Sequence, residues 1–425
     1  MSTGNGDGPR ANGSHGNGGP GPLSGIKVIE CSTWAFGPIA GHMLGDLGAD
    51  VIKVENPNMP DAARGLALVA GVDVALPDGE SSVFEIFNRN KRSIQIDLKQ
   101  EQGQELLKEL VKDADVFLEN FRPGVFDRLG IGYEDLCKVN PKIIYGSTSG
   151  YGFKGVEGQR PALDPVGQAR SGLMWSTGAQ GDPPNWNTLG FADLMGGNML
   201  AYGIVSALAA RELQGVGQKV ECSHMMASMW LESAAIASAW YQGDGDWARF
   251  ERSEASNPLA NHYACSDGEW LLLAMPDSND GWDSLCEALE LGELIEDPRF
   301  AAPDRRREHA AALIALLDAR FAQQPLAEWA RRFGESSEIE SQPLRRISDL
   351  PDDPAAQANG YFVDIGHPRY GSMPELLHPV AFGETPATIR RYAPQLGEHT
   401  WEVLSDDLGY DAARIADLTA EGIVS

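Results

Sequence analysis

The chain predicts an α/β protein, with a large domain built on a parallel sheet and a smaller α+β domain. Three observations carry that prediction. Short apolar runs alternate with helical patterns along the first half of the sequence, as in βαβ units, whose crossovers force neighbouring strands to run parallel. The alternation changes near residue 242, where Asp244, Gly245 and Asp246 mark a linker. A length of 425 residues is more than one hydrophobic core usually organises.

Residues 1–22 are mostly Gly, Asn, Ser and Pro; they bury too little apolar surface to offset ordering entropy and predict a disordered tail. Ile26 to Glu30 predicts the first buried strand. Pro38 suits the first position of a helix that runs to about Leu47 and stops at Gly48. Strands are expected at Val51 to Val54, Ser93 to Leu98, Val116 to Phe121, Ile143 to Ser147 and Gln218 to Cys222. Glu101 to Lys112 predicts an amphipathic helix, Asp193 to Leu213 a long one, and Ser223 to Tyr241 another. Beyond the linker, Trp270 to Ala274 predicts a strand and Trp282 to Phe333 is mostly helical, interrupted by Pro298 and Pro303; strand and helix signals resume from about Val363. The expected organisation is a tail over 1–22, a large Rossmann-like domain from 23–225 and 345–425, and a small domain over 226–344.

Composition removes several functional classes. The formal charge is −27, from 34 Lys and Arg against 61 Asp and Glu, so nucleic acid, which needs a basic footprint, is not an expected partner. An anionic ligand needs a local basic pocket set against that field. No eighteen-residue apolar run and no basic-then-apolar leader pattern occur, so no membrane partner is expected. Five scattered cysteines (Cys31, Cys137, Cys222, Cys265 and Cys286) without a C-x-x-C pair fit a reduced, cytoplasmic protein. Histidine spacing offers no metal site. The turn Ser32-Thr33-Trp34-Ala35-Phe36-Gly37 is not a dinucleotide fingerprint, and no G-x-x-x-x-G-K-[ST] loop is present. Gly146-Ser147-Thr148-Ser149-Gly150 has Thr where a nucleophile elbow needs Ser. Composition and spacing stop at a Rossmann-like α/β enzyme without the usual phosphate loop.

Ordered segments go further. Gly25-Ile26-Lys27-Val28-Ile29-Glu30, Gly37-Pro38, Leu47-Gly48-Ala49-Asp50-Val51-Ile52-Lys53-Val54-Glu55, Phe87-Asn88-Arg89-Asn90-Lys91-Arg92-Ser93, Asp97-Leu98-Lys99, Glu119-Asn120-Phe121-Arg122-Pro123-Gly124 and Asp127-Arg128-Leu129-Gly130 appear in that order, and Ala393-Pro394-Gln395-Leu396-Gly397-Glu398-His399-Thr400 follows near the end. Together they resemble the family III CoA-transferases, the group of formyl-CoA transferase, carnitine CoA-transferase and α-methylacyl-CoA racemase. The resemblance implies a CoA-binding large domain, an interlocked homodimer that a homologous second subunit can join, no permanent cofactor, and a coenzyme A thioester and a carboxylic acid as substrates.

The family's nucleophile is an aspartate followed by a Gly-Ile-x-x-Ala-Leu run and then Gly-x-Gly-Gln-x-Val. Here those are Gly203-Ile204-Val205-Ser206-Ala207-Leu208 and Gly215-Val216-Gly217-Gln218-Lys219-Val220, and the matching aspartate is Asp193. Its chemistry is workable: the carboxylate attacks an acyl-CoA thioester, an anhydride forms, and CoA returns to give an aspartyl-CoA thioester. The plain structural alternative is that Asp193 caps its helix. Asp164, in Pro161-Ala162-Leu163-Asp164-Pro165, matches an acid that arranges the family's site, or is a turn residue before Pro. Gly196 and Gly197 either let substrate approach or pack helices. The resemblance also implies that Trp34, Ala35, Phe36, Ile96, Leu98, Lys99, Asn120, Phe121, Arg122 and Arg128 line the CoA cleft, with Ile96 and Leu98 flanking the adenine and Lys99, Arg122 and Arg128 supplying local positive charge.

Departures narrow the substrate. Ala35 stands where formyl-CoA transferases carry a glutamine, and Arg252-Ser253-Glu254-Ala255-Ser256-Asn257-Pro258 lacks their glycine-rich loop, which argues against formate and oxalate. Trp34, Phe36, Trp175 and Trp186 suggest a bulky or aromatic acid, with succinyl-CoA as a candidate donor. Leu163 replaces the histidine that the family's racemases use for proton transfer. An acyl-CoA isomerase or racemase, and a non-catalytic subunit of a heteromeric CoA-transferase, stand as the alternatives.

Overall fold

The computed structural model describes residues 21–243, 247 and 249–425. The expected tail, apart from its last two residues, and the expected linker residues Asp244, Gly245 and Asp246 lie outside the described residues. The chain forms two compact units: the described residues up to Met174 with Trp186–Ser238 and Asn359–Ser425, and Trp175–Asn185 with Ala239–Ala358.

The first unit is built on six parallel strands. In chain order its elements are β1 (Lys27–Cys31), α1 (Phe36–Asp46), β2 (Asp50–Glu55), a small hairpin of β3 (Leu68–Val69) and β4 (Val72–Asp73), α2 (Ser82–Asn88), β5 (Lys91–Gln95), α3 (Glu101–Lys112), β6 (Val116–Glu119), α4 (Val125–Arg128), α5 (Tyr133–Val139), β7 (Ile144–Ser149), α6 (Asp164–Ser171), a single turn α7 (Leu173–Ser176), α8 (Phe191–Gln214), β8 (Gln218–Ser223) and α9 (His224–Leu231). The strand order is β5-β2-β1-β6-β7-β8. Numbered within the sheet alone, this is the doubly wound order 3-2-1-4-5-6, which reverses between β1 and β6. The crevice at the carboxyl ends of those two strands is where such sheets hold ligands.

Alternation along the strands builds two cores. Ile29, Ile52, Ile94 and Phe117 face one side, against Leu107 of α3 and Val403, Leu404, Ile415 and Leu418 of the returning C-terminal segment. Val28, Val51, Val116 and Ile144 face the other, against Ala40 and Leu44 of α1 and Leu200 and Ile204 of α8. The C-terminal segment also covers the β5 edge: His399 donates its N–H to the Ser93 carbonyl at 2.9 Å, and Asp97 donates to Ile423 at 2.9 Å. Gly48, at φ +104°, turns the chain from α1 into β2 as expected.

Two elements differ from expectation. β5 begins at Lys91 rather than Ser93, because its charged residues are paired: Lys91 Nζ lies 2.8 Å from Glu30, and Arg92 reaches Asp50 at 2.5 Å and Asp407 at 2.7 Å. The helix expected over Ser223 to Tyr241 is two, α9 and a second over Ser233–Gln242.

The second unit carries an antiparallel sheet of β9 (Ala260–Ala264), β10 (Trp270–Ala274) and β11 (Ser341–Pro343), in the order β11-β10-β9. Helices Trp282–Ala288, Ala310–Phe321 and Leu326–Phe333 pack with it around Trp282, Trp329 and Tyr263, whose ring stacks on Phe321 at 4.8 Å. The unit takes in Trp175–Asn185, where Arg249 Nε donates to the Trp175 carbonyl at 2.7 Å. The first unit keeps the chain through Ser238, beyond the expected boundary at 225, since α9 packs on α6 and α8.

Candidate active site

Three sides of the crevice are built at the carboxyl ends of the sheet. After β1 the chain makes a sharp turn at Thr33 and Trp34. Trp34 adopts φ +66°, a left-handed backbone that a bulky residue holds only when its surroundings enforce it. Here they do: Asp61 Oδ1 accepts the Trp34 N–H at 2.9 Å, and the fully buried Lys53 reaches both the Ser32 carbonyl (2.8 Å) and Asp61 (2.9 Å). Burial alone drives the Lys53 pKa down, but the charges of Asp61, Glu30 and Glu55 outweigh it and hold the ammonium. From the β6 side, Asn120 clamps the same turn, accepting the Thr33 N–H at 2.9 Å and donating to the Thr33 carbonyl at 2.6 Å.

On the third side, the first turns of α6, α8 and α9 bring two acids and an imidazole together. α6, α8 and α9 meet at Gly167, where an added Cβ would stand 2.6 Å from the His224 Cβ and 2.9 Å from that of Ala192. The N-cap of α8 is Gly190 and Asp193 lies in its first turn, so Asp193 does not cap the helix through its side chain. That task falls to Asp164, whose Oδ2 accepts the N–H groups of Ala192 (2.7 Å) and Asp193 (3.1 Å). Buried Gln168 donates to Asp164 Oδ1 at 2.5 Å and straps the Asn187 backbone in both directions. Burial raises the Asp164 pKa, the charge of Asp193 adds to it, and the hydrogen bonds it accepts pull it back. Asp193 Oδ1 meets His224 Nε2 at 2.7 Å.

Asp193, Asp164 and His224 line a cavity of about 570 Å³ together with Trp34, Ala35, Phe36, Asn120, Phe121 and Arg122. Its remaining wall is largely apolar, contributed by the β3–β4 hairpin, Phe87 of α2 and the segment Trp186–Leu189 before α8. A second cavity, of about 480 Å³, shares Thr33, Trp34 and Phe121 with the first and is lined by Leu98, Lys99 and Arg128. Lys99, Arg122 and Arg128 are exposed and have no ion-pair partner among the described residues.

Eleven of the twelve site residues expected from sequence therefore border one of two adjoining cavities. Ile96 does not: it is fully buried in the core and bridges Val424 of the C-terminal segment, which leaves no face for an adenine. Trp175 belongs to the second unit, where its ring lies under Arg249. Gly196 and Gly197 serve helix packing, because a Cβ on either would meet Phe36 or Ile39 of α1 at 2.5 Å. Sequence reasoning missed His224; the available signal was its place immediately after a strand carboxyl end on the sheet that carries the crevice.

A doubly wound sheet with a carboxylate in the first turn of a helix, and with exposed cations along two adjoining cavities, is an α/β architecture of the kind that binds ligands at its switch point. Comparison with known proteins supplies the rest. The family model described as CoA-transferase family III matches residues 23–400. An "Acyl-CoA transferase" of Fusarium pseudograminearum (strain CS3096) is 34% identical over 409 residues, covering 95% of this chain and 88% of that one. The "Succinyl-CoA:glutarate CoA-transferase" of Mus musculus is 31% identical, covering 95% and 90%. The crystal structure of a CAIB/BAIF family protein from Brucella suis superposes with a TM-score of 0.80 at 31% identity, covering 91% and 99%. The chain belongs to CoA-transferase family III.

Proposed function

We propose that the protein transfers CoA from an acyl-CoA donor to a bulky or aromatic carboxylic acid through an aspartyl-CoA thioester on Asp193. The observation that carries this is the placement of Asp193: its Oδ1 is held by His224, and the carboxylate opens onto a cavity whose walls are mostly apolar. An apolar pocket with few polar groups orients an acyl chain without solvating it. The second cavity, edged by Lys99 and Arg128, suits the phosphates and adenine of CoA, and the shared turn at Trp34 and Phe121 gives the pantetheine arm a path toward Asp193. Leu98, which lines the second cavity, supports a contact with the adenine in this reading, whereas the fully buried Ile96 does not. The mouse relative's name makes succinyl-CoA the first donor to test. Trp34, Phe36 and Trp186 in the first cavity support a large acceptor.

Racemisation is disfavoured by the same geometry. Moving a proton between faces of an α-carbon takes an acid and a base on opposite sides of it, whereas Asp193 and His224 touch at 2.7 Å. The open nucleophile also speaks against a non-catalytic subunit. Exposed apolar side chains on the first unit, among them Tyr202, Leu213 and Trp230, support a second copy, or a homologous chain, packed there as an interlocked dimer. Free cysteines support a reducing, cytoplasmic setting.

The deciding experiment is peptide mass spectrometry after incubation with succinyl-CoA and other acyl-CoAs, with hydroxylamine or borohydride trapping, followed by a panel of acceptor acids. Modification at Asp193 that disappears in Asp193→Ala is expected, with bulky acids preferred. A fully active Asp193→Ala enzyme overturns the reading of the nucleophile. If Trp34→Ala and Trp186→Ala handle bulky and small acids in the wild-type ratio, the acceptor reading fails.

A further inference from the structure

The imidazole on Asp193 is held too closely to be incidental. His224 is buried, its Nε2 lies 2.7 Å from Asp193 Oδ1, and its ring packs on Phe36 with centroids 4.5 Å apart. Ser223 caps α9 through the Met226 N–H, and the Met225 N–H reaches the Gly150 carbonyl at 3.1 Å, so the first turn carrying the ring is fixed from two sides. His224 Nδ1 is buried without a hydrogen-bond partner among the described residues. A buried N–H without an acceptor is costly, which places the proton on Nε2, pointing at Oδ1. Asp193 Oδ2 has no partner among the described residues and is the free oxygen.

We propose that His224 is the oxyanion donor of the reaction, working on the aspartyl carbonyl. This rests on Asp193 being the nucleophile. Oδ2 attacks the thioester carbonyl, the C–S bond breaks, and CoA departs as thiolate with the electron pair. In the resulting anhydride Oδ1 is the aspartyl carbonyl oxygen, still under Nε2–H. When the thiolate returns to Cγ, the carbonyl electron pair moves onto Oδ1, where Nε2–H meets the developing charge. Collapse breaks the Cγ–Oδ2 bond and releases the donor acid with Oδ2. The acceptor carboxylate then attacks Cγ of the thioester, and charge appears on Oδ1 again before CoA thiolate leaves. Attack of that thiolate on the acceptor carbonyl returns the aspartate, now carrying one acceptor oxygen. A single fixed donor thus serves both tetrahedral intermediates at Cγ. No proton changes hands, so the donor needs only its place.

The test compares wild type, His224→Leu and His224→Gln, the last presenting an amide N–H near the Nε2 position. Each is given succinyl-CoA, or whichever acyl-CoA the donor panel shows to be active, without acceptor; Asp193-CoA thioester is quantified by peptide mass, and its cleavage by hydroxylamine is timed. Removing one preorganised oxyanion donor typically slows a reaction about 100- to 1,000-fold. The leucine variant is therefore expected to form and release the adduct about 100-fold more slowly, with KM for acyl-CoA within about threefold of wild type, and the glutamine variant to recover at least about tenfold of that loss. A leucine variant within about threefold of wild type in both steps overturns the proposal, as does a folded glutamine variant as slow as leucine, which points to packing alone. Absence of any adduct at Asp193 in active wild-type enzyme overturns the nucleophile itself, and His224's role with it.

Discussion

Asp164 and Asp193 are joined through backbone rather than side chain: Asp164 Oδ2 accepts the Asp193 N–H at 3.1 Å, alongside that of Ala192 at 2.7 Å. An acid from α6 thus does for α8 what an N-cap side chain usually does, and Gly190, which has no side chain, stands at the cap position. Asp193, the proposed nucleophile, is released from capping and can present its carboxylate to the cavity. Asp164→Ala is expected to lose about 1–2 kcal/mol of stability, the usual cost of a lost cap, and to lower kcat by more than its effect on KM, since the first turn of α8 carries Asp193. Asp164→Asn keeps an acceptor oxygen and should retain most of both. Urea titration and steady-state kinetics on the two variants separate these outcomes; an alanine variant with wild-type kcat removes the positioning role.

Much of this was legible in the sequence. The alternation of strands and helices located all six strands of the parallel sheet to within a few residues, because buried parallel strands are short, apolar and bounded by turns. Segments resembling the family in order picked out Asp193 and other residues that line the two cavities. Pairings across long sequence separations were hidden. Nothing local to Ile96 announces that Val424 will cover it, and nothing local to His224 announces Asp193, 31 residues earlier. The division of roles between Asp164 and Asp193 was equally hidden, as both are reasonable caps by composition.

Gly196 and Gly197 set how closely α1 and α8 approach. A Cβ on Gly197 would stand 2.5 Å from Ile39 Cγ2 and 2.9 Å from the Phe36 carbonyl, a backbone atom with little room to yield. Gly197→Ala is expected to destabilise by about 1–3 kcal/mol through overpacking. Gly196→Ala presses instead on the Phe36 ring, which supports His224, so it should also depress kcat. Thermal melts and turnover numbers measured side by side test the distinction; equal loss of activity in both would mean that Phe36 carries no special part.

Lys99 and Arg128 are exposed cations at the second cavity of a protein with formal charge −27. If they meet CoA phosphates, Lys99→Ala and Arg128→Ala should each raise KM for acyl-CoA about three- to tenfold, or about 0.6–1.4 kcal/mol, and leave kcat nearly unchanged. The effect should shrink as salt is added, because exposed charges are screened within about 10 Å at 0.1 M. KM measured from low to high ionic strength provides the check. Variants with wild-type KM at low salt would move the phosphates elsewhere.

Glu119 ties stability to pH beneath the same crevice. Its carboxylate accepts the Phe121 N–H at 2.8 Å and the Ser147 hydroxyl, and so helps hold Phe121, which lines both cavities. Burial pushes its pKa from 4.5 up to about 7, against the lowering effect of those hydrogen bonds. A folded-state pKa above the unfolded one favours the folded protein fully below pH 4.5, where both states are protonated. Between there and about pH 7 the unfolded chain ionises and the folded one resists, so that stability drains away; above about pH 7 both are ionised and the loss levels off. The span is on the order of 3 kcal/mol. Glu119→Gln keeps an acceptor for Phe121 and an amide for Ser147 while removing the titration. Urea midpoints of the two proteins at pH 5, 6, 7 and 8 should therefore diverge in favour of the variant as pH rises, and a difference that stays constant across that range would mean Glu119 is ionised in the folded protein throughout.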